Sequence, residues 1–138
     1  MNVSQPDSRL VLTGLDIVDL TRFRGALQRH PRLRERLFSS EELAYADGRR
    51  DPVVHLAARF AAKEAVGKLL GTGVTSWKDI CVESRGGAPS VRLLGRAAQR
   101  ADTLRLGPVA LSLSHTATIA MAGAVALILD SKESWEAV

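Results

Sequence analysis

Glu64 and Lys68 lie four residues apart in an alanine-rich stretch, so on a helix they share one face. Phe60, four residues earlier, would cover the same stripe and shield the carboxylate from water. Arg59 and Lys63, also four apart, predict a basic stripe alongside. Such a set can be an ordinary surface salt bridge, of which helices carry many. Two neighbours point to chemistry instead: the Ala61-Ala62 run allows tight packing beside the charges, and Gly71-Thr72-Gly73 follows at once. A glycine turn with free backbone N–H groups suits anionic oxygens, although the same residues also make a plain helix C-cap.

Asp16 is the second carboxylate of interest. It sits between Leu15 and Ile17 at the end of an apolar run, where an acid needs water, a cation or hydrogen-bond donors. It can cap the following helix, but Asp19 can do so equally well and would leave Asp16 available. Asp16 and Glu64 could together hold Mg²⁺, which takes one or two carboxylates and completes its octahedron with water and substrate phosphate. His115 closes the run Leu111-Ser112-Leu113-Ser114-His115 and precedes Thr116. It can bond a phosphate, or be satisfied by backbone at a strand end. No glycine-flanked elbow surrounds Ser112 or Ser114, which argues against a Ser-His-acid hydrolase. His30, His55 and His115 lack the close pairing of a zinc site.

Several elements are needed to position these groups. Leu10 to Val18 predicts a strand ending near Gly14 to Asp16. Leu20, Phe23 and Leu27 give Leu20 to His30 a helical period, which Pro31 breaks. Ser39 and Glu42 have the form of a capping box opening a short helix near Glu41 to Ala46. Asp51-Pro52 reads as N-cap and first turn of the main helix, running to about Leu70. Ile80 to Ser84 and Ser90 to Leu94 predict a hairpin around Arg85-Gly86-Gly87-Ala88-Pro89. Gly95 to Leu104 is helical in composition, and Pro108 to Ser114 with Thr118 to Leu129 predicts a closing pair of strands. The apolar run Ile119 to Leu129 is shorter than the roughly 20 residues of a membrane helix and reads as a buried strand. Strands and helices are largely segregated, so the class is α+β: a small antiparallel sheet with a long central helix and shorter ones. Residues 9–130 form a single domain between an N-terminal tail, Met1–Ser8, and a C-terminal tail, Ser131–Val138.

Composition narrows the classes. A chain of 138 residues fits one domain. The lone Cys81 cannot make an internal disulfide, which favours a reducing cytoplasm. Net charge is +4, and Leu20 to Leu37 holds six arginines against the single acid Glu35. Such a block suits an acidic partner, though a solvated helix face has the same composition. Aromatic residues make up only 4% of the chain, and no nucleic-acid reader motif is present, so a nucleic-acid partner is disfavoured. No membrane partner is expected either.

In order, Gly14-Leu15-Asp16-Ile17-Val18, Arg59-Phe60-Ala61-Ala62-Lys63-Glu64-Ala65 with Lys68, Gly71-Thr72-Gly73, Asp79-Ile80, Gly87-Ala88-Pro89 and Leu113-Ser114-His115 resemble the holo-acyl-carrier-protein synthase family. These are the small trimeric phosphopantetheinyl transferases, and the resemblance runs from about Leu12 to Leu127. It implies transfer of 4′-phosphopantetheine from coenzyme A to a serine of an acidic acyl carrier protein, with adenosine 3′,5′-bisphosphate released. By position it implies that Asp16 and Glu64 bind Mg²⁺ and that Lys68 neutralises the coenzyme A pyrophosphate. Glu64 would help deprotonate the serine, directly or through water. Arg59, Lys63, Gly71, Pro89, His115 and Thr116 would line the nucleotide and phosphate pocket, and Arg22, Arg29 and Arg32 would grip the carrier. It also implies a homotrimer with its sites between subunits. The carrier served, of fatty acid, polyketide or another secondary pathway, stays open.

The chain departs from the family pattern at Gly67, where a serine hydroxyl is common. Asp47 to Asp51 matches no family motif, so Arg49 and Arg50 carry little weight on sequence grounds.

Overall fold

Side chains alternate across the first strand, and that alternation decides what reaches the interior. In β1 (Val11–Asp19), Leu12, Gly14, Asp16 and Val18 are the more buried set, and the intervening residues are exposed, as a period of two requires. The computed structural model describes residues 10–129; both expected tails lie outside the described residues.

β1 pairs antiparallel with β5 (Ile119–Leu127) along its whole length, Val11 opposite Leu127 and Asp19 opposite Ile119. The strand therefore runs past Asp16, where the sequence suggested it would end. The inward–outward pattern continues unbroken to Asp19, and β5 supplies a partner for every residue. β4 (Ala110–His115), β3 (Ser90–Leu93) and β2 (Ile80–Glu83) complete a five-stranded sheet of order β1-β5-β4-β3-β2. All pairings are antiparallel, and β3 meets β4 through one residue pair only, Ser90 with Ala110.

The helices follow their local signals. Asp19 caps α1 (Leu20–Arg29) by accepting from the Arg22 N–H at 2.8 Å, leaving Asp16 out of the cap. α2 (Leu33–Leu37) follows Pro31. The capping box of α3 (Ser40–Asp47) is complete, with Ser39 and Glu42 each bonding the other's backbone N–H. α4 (Pro52–Leu70) has proline in its first turn, but Asp51 makes no side-chain cap bond. Its carboxylate is drawn instead to Arg24 Nη2 of α1, 3.1 Å away, a partner that local sequence cannot reveal. α4 ends at Gly71, whose φ of 77° is left-handed and therefore favours glycine. α5 (Gly95–Leu104) packs near that end, where Arg100 Nε donates to the Leu70 carbonyl at 2.9 Å.

α4 lies across β1 and β5, and alanines fill much of the contact: Ala61, Ala62 and Ala65 on the helix, Ala120, Ala122 and Ala124 on β5, all nearly inaccessible. The opposite face of the sheet is bare. Leu15, Ile17, Met121 and Val125 point outward and are 40% to 59% exposed. β5 is thus half-buried rather than buried, because only one of its faces is covered. Among the described residues no helix is long and apolar enough to cross a membrane.

Candidate functional site

β1 and α4 meet backbone to backbone at Gly14. A Cβ there would overlap the Ala65 carbonyl and come within 3.0 Å of the Leu69 nitrogen, closer than side chains are found. Two residues on and on the same face, Asp16 is set beside the Glu64–Lys68 turn of α4. Lys68 Nζ donates to Asp16 Oδ1 at 3.1 Å and to the Leu15 carbonyl at 2.9 Å. Lys68 is 55% exposed and Asp16 18%, so the pair contributes little to stability. Its lysine remains accessible to an anion.

Glu64 lies one turn before Lys68. Burial pushes its carboxyl above the ordinary value, the negative charge of Asp16 pushes it further, and Lys68 opposes both. That pattern belongs to two carboxylates sharing one site. Asp16 and Glu64 line a cleft of about 750 Å³ with Phe23, Phe60, Arg22 and Arg29. Phe60 forms its wall, 5.4 Å from the Phe23 ring and stacked 5.1 Å from Trp77.

Two hard oxygen donors of like charge at one cleft fit a magnesium ion, which leaves further positions to water and phosphate. A second acidic group, Glu41, Cys81 and Glu83, brings its ligand atoms within 4.8 Å of one another. Arg92 already bridges it, 2.9 Å from Glu83 and 3.7 Å from Glu41, and with that charge in place it does not suit a cation.

The expected basic stripe does not reach solvent. Lys63 is wholly buried against Glu42, 2.7 Å from its carboxylate. Burial lowers the lysine's pKa and Glu42 raises it. Arg59, 2% exposed, donates to Ser84 Oγ at 2.9 Å and stacks over Tyr45 at 3.9 Å. Lys63 lines neither this cleft nor the one at His115, and its charge is satisfied within the fold. The sequence missed this because Glu42 is 21 residues away.

His115 and Thr116 belong to a different cleft, of about 580 Å³, which also holds Arg24, Arg50, His55 and Asp51. Gly71 and Pro89 line neither cleft. Arg24, Arg50 and His55 were not singled out from sequence as pocket residues; the Arg49-Arg50 pair just before the main helix was the available signal. Burial depresses the His55 pKa, and the positive charge of Arg59, Arg49 and His115 lowers it further. An anion placed there would relieve that repulsion.

The arginine block divides in two. Arg24 pairs with Asp51 and Arg34 with Asp47. Arg22, Arg29 and Arg32 make no ion pair with a described residue. Arg29 joins the carboxylate cleft to a neighbouring hollow of about 540 Å³ lined by His30, Pro31, Arg32, Leu33 and Arg36.

Comparison with known proteins gives a consistent result. The family model of the 4′-phosphopantetheinyl transferase superfamily matches residues 13–120. Over 121 residues the chain is 47% identical to the holo-[acyl-carrier-protein] synthase of Moorella thermoacetica, covering 86% of this chain and 93% of that one. With the synthase of Beutenbergia cavernae it is 50% identical over 119 residues, 85% and 97% of the two chains. The solved structure of the Helicobacter pylori synthase in complex with coenzyme A superposes with a TM-score of 0.73 at 28% identity, covering 83% of this chain and 99% of that one.

Proposed function

Since this chain belongs to the 4′-phosphopantetheinyl transferase superfamily, we propose that it moves the 4′-phosphopantetheine arm of coenzyme A onto a serine of an apo acyl carrier protein. Adenosine 3′,5′-bisphosphate is the second product. The convergence of Asp16, Glu64 and Lys68 at one cleft, rimmed by Arg22 and Arg29, is the observation that carries this reading.

Transfer of a phosphoryl group needs positioning and charge neutralisation more than covalent help. Asp16 and Glu64 are the residues that would hold Mg²⁺, and when bound the ion polarises the phosphoryl oxygens. Lys68 sets a positive charge beside the leaving group, where negative charge grows. Glu64 takes the serine proton directly or through one water. Arg22, Arg29 and Arg32 receive the acidic face of the carrier, which brings its serine to the cleft. Arg24, Arg50, His55, His115 and Thr116 supply positive charge and donors for the nucleotide phosphates. Arg59 supports this cleft by stacking on Tyr45, whereas Gly71 ends α4 at its far end and Pro89 lies in the turn between β2 and β3.

The bare apolar face of the sheet calls for a cover, and a homotrimer provides it. In that assembly the basic cleft of one subunit completes the carboxylate cleft of the next, which accounts for their separation within one chain. The reaction serves a carrier of fatty acid, polyketide or another secondary pathway in the cytoplasm. Intact-mass spectrometry of an apo carrier incubated with the protein, coenzyme A and Mg²⁺ tests the reading. A gain of one phosphopantetheine that EDTA abolishes is expected. No gain on any of several carriers, with coenzyme A still bound, would make the chain a non-catalytic relative.

A further inference from the structure

Lys63 precedes Glu64 in α4, yet successive side chains leave a helix about 100° apart. Glu64 faces the carboxylate cleft. Lys63 turns into the interior, where its ammonium donates to Glu42 Oε1 at 2.7 Å, the Leu37 carbonyl at 2.9 Å and the Trp77 carbonyl at 2.9 Å. Glu42 is equally engaged: Oε1 also accepts from the Ser39 N–H at 2.9 Å, and Oε2 from the Val82 N–H at 3.1 Å. One buried ion pair therefore ties α4 to α3, to the end of α2, to the turn before β2 and to β2 itself.

This matters for Glu64 because much of the packing of α4 on the sheet is smooth. The buried faces of both elements are rich in alanine, Ala61, Ala62 and Ala65 on α4 and Ala120, Ala122 and Ala124 on β5, and such faces offer few ridges to fix a rotation. Hydrogen bonds to backbone carbonyls are directional and do fix one. We propose that the Lys63–Glu42 pair is the pin that sets the rotation of α4 and so aims the Glu64 carboxylate toward Asp16. Lys63 is then a positioning residue rather than a phosphate ligand. The inference rests on the reading of Asp16 and Glu64 as a metal-binding pair, and the test separates the two.

The double variant Lys63→Met/Glu42→Gln removes both charges, keeps the volumes close and leaves an oxygen for one of the two backbone N–H groups. Mn²⁺ is titrated into parent and variant with coenzyme A present, against a blank of coenzyme A alone. The free ion is read by electron paramagnetic resonance, well below the melting temperature. The variant is expected to unfold cooperatively and to bind Mn²⁺ about 10- to 100-fold more weakly, the usual effect of losing support behind a metal ligand. A pair with a purely structural role would lower the melting temperature and leave Mn²⁺ affinity alone, and that outcome overturns the proposal. Asp16→Asn serves as the control. If it binds Mn²⁺ as the parent does, the metal reading falls and the pin with it; if it binds weakly while the double variant is unaffected, only the pin falls. Should the double variant lack a cooperative transition, Glu42→Gln alone retains the lysine's two carbonyl bonds and is held to the same outcomes.

Discussion

Gly14 and Ala65 touch through their backbones: a Cβ on Gly14 would come within 2.8 Å of the Ala65 carbonyl carbon. This contact sets the separation of β1 and α4, and with it the distance between Asp16 and the helix that carries Glu64 and Lys68. Gly14→Ala must push strand from helix. A loss of at least about 1–3 kcal/mol is expected, the range for overpacked interiors. Activity should fall further than stability alone explains. A melt and a transfer assay on the same sample check this; wild-type values in both would show that the contact is slack.

Glu64→Gln and Asp16→Asn should each reduce transfer to background while circular dichroism stays native. Intact-mass assays decide it, and wild-type-like turnover in either variant would sink the metal assignment.

The raised pKa of Glu64 also makes a prediction about stability. The folded chain holds the Glu64 proton more tightly than the unfolded chain, so this group favours folding when protonated. That contribution is fully present below the ordinary carboxylate pKa and is lost as pH rises through the raised folded value. At neutral pH the ionised group is therefore a burden, and Glu64→Gln should melt higher than the parent there. The gain should vanish in acid. A variant that melts lower than the parent at neutral pH would contradict the shift.

Charge reversal on α1 separates the two substrates. Arg22→Glu should raise KM for the carrier by about tenfold or more, in line with like charges facing one another across an interface, and leave coenzyme A binding within a factor of about two. Added salt should weaken the carrier interaction in the parent more than in the variant. Equal losses for both substrates would point to misfolding instead.

The bare sheet face offers a direct handle on assembly. Gly123 sits in β5 between Leu15 and Ser112 of the neighbouring strands, and nothing lies within 4 Å of where its Cβ would be. Gly123→Glu fits the single chain but places a charge in the middle of any interface there. Sedimentation should show smaller species and the transfer assay a loss of activity; an unchanged oligomer would locate the interface elsewhere.

Local signals in the sequence were reliable where the physics is local. The Ser39–Glu42 capping box, the stop at Gly71, the β2–β3 hairpin and the helix period of Leu20, Phe23 and Leu27 each depend on residues a few positions apart. Asp19 took the cap and left Asp16 available, as its type and spacing allowed. What escaped was long-range. Lys63 looks like half of a surface stripe until Glu42 folds against it, and Asp51 looks like a cap until Arg24 draws it away. The division of the expected pocket residues between two clefts depends on which side of α4 each faces in the assembled sheet. Periodicity along one element cannot report that. The same holds for Gly67, which seemed a lost hydroxyl. A Cβ there would meet the Gly73 carbonyl carbon at 2.7 Å, because the loop after α4 folds back and bonds Gly73 N–H to the Gly67 carbonyl at 3.0 Å.

The junction of β3 with β4 is a single residue pair, Ser90 and Ala110, whereas β1 is matched to β5 over its full nine residues. The sheet therefore has a seam. Amide hydrogens at that junction should exchange soonest, while β1, β5 and β4 hold together on one side and Glu42 keeps β2 on the helices on the other. Asp16, Glu64 and Lys68 lie on the β1 side of that seam.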